Sequence, residues 1–178
     1  KNDYPSLAEY DGLFIRETTA VDNHTYRFAL RAEKEDMVVI DDPGSILKCT
    51  NKIYLADLLK SRKLATPRTE IIYREDSTRP AELPDLLGFP IVLKIPDGSF
   101  SRGIRKASSM QELREIVAQF LEDSDLCIAQ KFVPTDFDWR VGVLDRRPLF
   151  VCQYKMARGH WQIIKHQEGG ASVEGGHK

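Results

Sequence analysis

Helical and strand-like patterns of hydrophobic positions alternate along the chain. Apolar residues recur at helical spacing in segments 24–35, 52–63 and 109–124, and a short helix is predicted near 83–87. Apolar runs predict strands at 12–16, 37–41, 69–74, 89–96 and 126–133. Segments 138–145 and 148–156 face each other across Arg146–Arg147 and predict a β-hairpin. The pattern is that of a mixed α/β protein.

Polar residues at the segment ends predict where these elements begin and stop. Asp22 or Asn23 is suited to cap the first helix, and Thr50 or Asn51 the second. Ser109 with Glu112 has the spacing of a capping box. Segment 41–45 reads as a turn, and we expect the polar, Gly-rich tail 167–178 to be mobile.

Composition narrows the class of protein. The chain has 178 residues, with 26 Lys and Arg against 27 Asp and Glu, and this near balance argues against a DNA-binding protein. No apolar run reaches the roughly 20 residues of a membrane span, and no signal peptide is visible. The odd number and wide spacing of the cysteines suit a reduced, cytoplasmic protein. The three cysteines, Cys49, Cys127 and Cys152, are expected to be buried, reduced thiols.

Lys94 is the most informative single residue, because it lies inside the apolar run 89–96. A buried ammonium needs an anion or an acidic partner, whereas at an edge strand it would extend to solvent. Segment 97–103 follows at once, and its two glycines and two serines can direct backbone N–H groups at phosphate oxygens. The spacing is not that of a Walker A loop. Lys52, in the first turn of its helix, is either a surface lysine or a second phosphate ligand.

The second half of the chain adds further polar candidates. Segment 129–134 is a strand that runs into a proline, where exposed backbone groups can read an adenine edge. Asp138 and Arg140 share one strand face, which suits them to ribose and phosphate or carboxylate, or to a weak surface salt bridge. Segment 157–166 gathers cations around Trp161, but His160 and His166 are poorly spaced as metal ligands.

These segments together resemble an ATP-grasp ligase, and more narrowly the RimK-like and bacterial glutathione-synthetase-like branch. The resemblance covers roughly 45–176 and rests on four pieces in order, namely 50–69, 88–104, 126–145 and 157–170. It implies an ATP-grasp fold of the α/β (α+β) class. It divides the chain into the end of a preceding α/β domain (1–45), the first grasp lobe (46–128), and the hinge with the start of the second lobe (129–178).

The resemblance also implies roles for individual residues. Lys52 and Lys94 would contact the phosphates, and a flexible loop would close over them through Gly98, Ser99, Ser101 and Gly103. The hinge that reads adenine would consist of Gln130, Lys131, Phe132 and Val133, and Asp138 would bind the ribose. The implied catalytic residues are Arg140, Arg158 and Lys165, although Lys165 stands where the family pattern has an Asn.

The implied reaction is ATP-dependent joining of a carboxylate to an amine through an acyl phosphate. ATP and Mg²⁺ would be required, and the acidic metal ligands are expected beyond Lys178, so the chain alone is expected to have little ligase activity. The implied partners are ATP and small-molecule or peptide substrates, with neither DNA nor a membrane involved. An exposed sheet edge would also favour a homo-oligomer.

Two other functions remain open at this stage. The chain could bind nucleotide without ligation, or it could be an interaction domain whose Lys and Gly features are incidental. A protein kinase is disfavoured because its Gly-rich loop precedes the strand lysine, and because H-R-D and D-F-G are absent here.

Overall fold

The computed structural model describes residues 3–76, 78–97, 103–166 and 172–178. They form two compact units, residues 1–66 and 67–178. The domain boundaries predicted after residues 45 and 128 come from the family resemblance. The division into compact units does not test them, and they stay predictions. None of the helices within the described ranges has the length and apolar character needed to cross a membrane.

The first unit combines a two-stranded parallel sheet with three helices and a short 3₁₀ turn. Its elements are β1 (Gly12–Phe14), α1 (His24–Lys34), β2 (Val38–Ile40), α2 (Pro43–Thr50) and α3 (Lys52–Ser61). The predicted caps are confirmed for Asn23 and Asn51, whose side chains accept backbone N–H bonds at the starts of α1 and α3.

Helix α2 corrects the prediction of a turn at 41–45. Asp42 accepts a hydrogen bond from the Ser45 N–H at 2.8 Å, and Pro43 occupies the first helical position. Proline is tolerated there because that N–H has no partner within the helix. The residues that indicated a turn are therefore the residues that start a helix.

The second unit is built on a four-stranded antiparallel sheet. Its elements are β3 (Thr69–Tyr73), α4 (Arg79–Leu87), β4 (Ile91–Lys94), β5 (Ile104–Ala107), α5 (Met110–Asp123), β6 (Leu126–Lys131), β7 (Phe137–Leu144), β8 (Arg147–Lys155), β9 (Ile164–His166) and β10 (Ser172–Glu174). The sheet has the order β3-β6-β4-β5. Helix α4 starts at Arg79, four residues before the predicted 83–87, and ends at Leu87 with Gly88 as its C-cap.

Helices α4 and α5 cover one face of this sheet. The core between them contains Leu83 and Leu87 of α4, Leu113, Ile116 and Val117 of α5, and the strand residues Ile72, Ile91, Leu93, Ala107, Cys127 and Ala129. Because side chains alternate along a strand, the residues between these belong to the opposite face, which we call the open face. It carries Thr69, Ile71, Val92, Lys94, Ile104, Lys106, Ile128 and Gln130.

The capping box of α5 is confirmed, with one difference in detail. The Glu112 N–H donates to Ser109 Oγ at 3.2 Å, and the Glu112 carboxylate accepts from the Ser108 N–H at 2.6 Å. The carboxylate therefore reaches one residue before the cap, and both contacts hold the start of the helix.

The predicted hairpin is confirmed as β7–β8, but its turn lies one residue earlier than predicted. Asp145 and Arg146 form the turn with φ of 47° and 60°, and Leu144 pairs with Arg147. Two positive φ values are typical of the two-residue turn that matches the twist of paired strands.

Two further expectations are corrected. Residues 172–178 of the predicted mobile tail are structured: β10 pairs with β9, and the Lys178 N–H donates to Gln153 O at 3.1 Å. Residues 167–171 of that tail lie outside the described residues. Of the cysteines, Cys127 alone is buried, whereas Cys152 is half-buried and Cys49 exposed.

Candidate functional site

Lys94 lies at the end of β4 on the open face of the sheet. Its neighbour Leu93 is fully buried in the core, so alternation directs Lys94 away from the helices. Lys94 Nζ donates to Gln130 Oε1 at 2.7 Å, and Gln130 Nε2 donates to Thr69 Oγ1 at 2.8 Å. Three strands thus place one cation, one amide and one hydroxyl in a single hydrogen-bonded row. The row therefore places a charged group and two polar groups side by side on the open face.

A loop joins β4 to β5 next to Lys94. The Ile95 N–H donates to Gly103 O at 3.0 Å, which closes the loop at its base. Gly103 has φ of +64°, and a Cβ there would come within 2.3 Å of the Ile95 side chain, so this position requires glycine. Gly98, Ser99 and Ser101, predicted to contact phosphate, lie outside the described residues.

The predicted hinge follows the last strand of the sheet. Gln130 is half-buried, Lys131 ends β6, and the Lys131 N–H donates to Arg68 O at 2.9 Å. Phe132 and Val133 continue beyond the strand, and Val133 is exposed. The contact of these four residues with adenine stays a prediction.

An open cavity of about 580 Å³ adjoins this hinge. It is lined by Lys106, Phe132, Pro134, Thr135, Asp136 and the segment 156–161. The rings of Phe132 and Trp161 meet edge to face, with centroids 5.9 Å apart. The structure therefore brings the hinge together with the segment that carries Arg158.

Asp138 and Arg140 share one face of the hairpin, as predicted. They pair across the strands with Tyr154 and Cys152. Arg140 donates to the Tyr154 hydroxyl at 2.8 Å, and its guanidinium carbon lies 4.9 Å from the centre of that ring. Between these two described residues there is no ion pair, so the alternative of a surface salt bridge is not found.

The last two predicted catalytic residues lie in different surroundings. Arg158 is exposed in the turn that borders the cavity. Lys165 is exposed in β9, where it pairs with Val173.

His160 Nε2 lies 3.2 Å from Gln162 Oε1, and the described part of the chain contains no group of three His, Cys, Asp or Glu residues arranged as metal ligands.

Lys52 belongs to the first unit, where it is half-buried at the first position of α3. Its joint action with Lys94 on the same phosphates stays a prediction. The sequence reasoning missed two polar residues of the open face, Thr69 and Lys106. Side chains alternate along a strand, and Ile72 and Ala107 are apolar core residues of the same two strands. Counting from them would have placed Thr69 and Lys106 on the open face.

The pKa values of Cys127 and Asp42 are shifted, and both of these described residues lie outside the row of Lys94, Gln130 and Thr69. Burial raises the pKa of the Cys127 thiol to about 12, because the charged thiolate is disfavoured in the core. Hydrogen bonding from Ser45 lowers the pKa of the Asp42 carboxyl. Cys127 is therefore a structural core residue rather than a nucleophile.

No protein-family model matches the chain. It is similar to the α-aminoadipate–LysW ligase LysX of Sulfolobus acidocaldarius, at 30% identity over 134 residues, or 70% of the chain and 46% of the relative. D-alanine–D-alanine ligase from Bacillus anthracis matches all of the chain and 57% of its own, with TM-score 0.72 and 15% identity. The RimK domain protein ATP-grasp from Sphaerobacter thermophilus matches 94% of the chain and 72% of its own, with TM-score 0.68 and 12% identity.

These likenesses define the class of protein: the chain has the ATP-grasp fold. The predicted resemblance to the RimK-like branch is confirmed. The chain spans about half the length of the curated relatives it matches. Because the curated relatives are named as ligases, a nucleotide-binding domain without ligation is not favoured.

Proposed function

We propose that this chain carries the ATP-binding part of an ATP-dependent carboxylate–amine ligase. The observation that carries the proposal is the hydrogen-bonded row of Lys94, Gln130 and Thr69 on the open face of an ATP-grasp sheet. Two features support it further: the glycine-closed loop beside Lys94, and the cavity beside the hinge.

The residues present suit a nucleoside triphosphate. Lys94 would hold the α- and β-phosphates, and Gln130, which accepts its hydrogen bond, would keep the ammonium in place. The loop from Gly98 to Gly103 would cover the phosphates with backbone N–H groups. Lys52 would add a second cation. Backbone groups of 130–133 would read adenine, and Asp138 would accept hydrogen bonds from the ribose.

Arg140 and Arg158 would act on the reacting end of the nucleotide. The substrate carboxylate attacks the γ-phosphate, which gives an acyl phosphate and ADP. An amine then displaces phosphate and forms the amide bond. Fixed guanidinium groups would stabilise the charge that develops on the phosphoryl oxygens, and Lys165 would contribute in the same region.

The residues named above are proposed as ligands of the nucleotide and not of magnesium. The described residues include no cluster of three or more His, Cys, Asp or Glu side chains that would bind the metal, and none of them is assigned as its ligand. When bound, Mg²⁺ would neutralise part of the phosphate charge.

The substrate class follows the names of the relatives. The LysX name pairs α-aminoadipate with LysW, and a further relative is named a probable α-L-glutamate ligase. We therefore propose an acidic amino acid as one of the two compounds joined. We propose a cytoplasmic location because the reaction consumes ATP, and self-association through a sheet edge remains part of the proposal.

The test is nucleotide binding by the chain itself. Isothermal titration with ATP and ADP should show binding, and ATP at ~100-fold its Kd should stabilise the fold by about 2.7 kcal/mol. Lys94→Met should abolish most of this affinity. Lys34→Met, at an exposed position of α1, is the matched control and should leave it unchanged. No binding by the unmodified chain at millimolar nucleotide would contradict the proposal.

A further inference from the structure

Lys106 lies against two aromatic rings that come from distant parts of the second unit. Its Nζ is 4.6 Å from the ring centre of Phe132 and 5.2 Å from that of Trp161. The two rings also contact each other edge to face. All three side chains are half-buried. An ammonium at this distance is attracted to both ring faces, and partial burial strengthens that attraction.

The three residues come from three segments with predicted roles in nucleotide binding. Lys106 belongs to β5, which follows the predicted phosphate loop and pairs with β4. Phe132 lies in the predicted hinge. Trp161 directly follows the turn that carries Arg158. Lys106 is opposite Val92 in the sheet, so it lies on the same face as Lys94, one step along the neighbouring strand.

The turn before Trp161 is tightly bonded. The His160 N–H donates to Ala157 O at 2.8 Å, and the Ala157 N–H donates to Gln162 O at 2.9 Å. Gly159 has φ of +66°, which a side chain would disfavour. These bonds close a short turn, and both Arg158 within it and Trp161 directly after it line the cavity.

We propose that Lys106 is a positioning residue for the nucleotide site. Its ammonium holds the rings of Phe132 and Trp161 together, and through Trp161 this contact fixes the position of Arg158 at the cavity. The inference rests on the proposed function, and it adds a residue that the family resemblance did not single out. Its consequence is specific: loss of the charge at Lys106 affects contacts with the outer phosphates more than contacts with the base.

The first arm of the test needs no nucleotide. The chain has two tryptophans, so Trp139→Phe leaves Trp161 as the one fluorescent indole. In that background, Lys106→Met should raise acrylamide quenching of Trp161, because the ring is no longer held. Lys106→Arg should restore the quenching of the parent, and Lys34→Met is the control. Equal quenching in Lys106→Met and the parent would overturn the proposal.

The second arm compares ATP with AMP. Lys106→Met should weaken ATP binding about fivefold and leave AMP binding nearly unchanged, and Lys106→Arg should restore it. Arg158→Gln should weaken ATP binding similarly. The double variant Lys106→Met/Arg158→Gln should be no weaker than Arg158→Gln alone, because both changes remove the same contact.

The outcomes separate this inference from the proposed function. Equal weakening of ATP and AMP, or effects of the two substitutions that multiply fully, would indicate a merely structural lysine and overturn the inference. Failure of the unmodified chain to bind either nucleotide would contradict the proposed function instead. Normal ATP and AMP binding by Lys106→Met would overturn the inference and leave the proposed function intact.

Discussion

The hydrogen bond between Lys94 and Gln130 should stabilise the second unit measurably. Its donor and acceptor are 2.7 Å apart, and one of them is charged. Hydrogen bonds to charged groups contribute about 1.5–3 kcal/mol when buried. Both side chains are half-buried, so solvent screening lowers the expected coupling to about 1 kcal/mol.

A double-mutant cycle measures this coupling. The variants are Lys94→Met, Gln130→Met and the double variant, and each free energy of unfolding comes from urea denaturation. Methionine keeps an unbranched stem at both positions while it removes the polar groups. The cycle cancels the contributions that each side chain makes through its other contacts. What is left is the coupling free energy between Lys94 and Gln130.

The sign and size of this coupling free energy test whether the hydrogen bond stabilises the fold. We expect the two single substitutions together to cost about 1 kcal/mol more than the double substitution. Thr69→Val, one bond further along the row, should couple to Gln130 more weakly because neither group is charged. A coupling of Lys94 with Gln130 below about 0.3 kcal/mol would refute the reasoning.

Three further predictions concern the fold. Above pH 9 the unfolded chain loses the Cys127 proton while the folded chain keeps it up to about pH 12, so stability falls through this range. Urea titrations should show the parent losing up to about 1.4 kcal/mol per pH unit more than Cys127→Ala, and equal slopes would contradict the burial argument. Ser109→Ala should lower the free energy of unfolding by about 1 kcal/mol through loss of the α5 cap, and no change would show that the cap contributes nothing. Arg146→Gly should raise the free energy of unfolding by about 0.5 kcal/mol, because Arg146 has a positive φ that glycine adopts without strain. Destabilisation by this substitution would argue against the positive φ at this turn.

Periodicity predicted both helices that cover the sheet and three of its four strands, β3, β4 and β6, but gave no strand range for β5. The run 89–96 and the helix 109–124 were clear because each is long, apolar on a definite face and bounded by turn or cap residues. Lys94 was recognisable because it is a charged residue within an apolar run. Such a residue indicates that one face of the strand is not part of the apolar core. The structure shows that face and its partner Gln130.

What the sequence failed to predict depends on contacts between distant segments. Strand β10 exists because it pairs with β9, whereas the glycines on both sides of it in the sequence do not favour a strand. Asp42 and Pro43 are equally suited to a turn and to a helix start, and the residues after them decide between the two. Lys106 was missed because its aromatic partners are 26 and 55 positions away in the sequence (132 − 106 and 161 − 106).

The most direct test of the account is hydrogen exchange of the chain with and without ATP. If the open face and the hinge bind the nucleotide, ATP should slow exchange in peptides covering 91–97, 103–107 and 129–133. Helix α1 should exchange at the same rate in both samples. Protection confined to other segments, or no protection at saturating ATP, would contradict the central claim that this face of the sheet binds ATP.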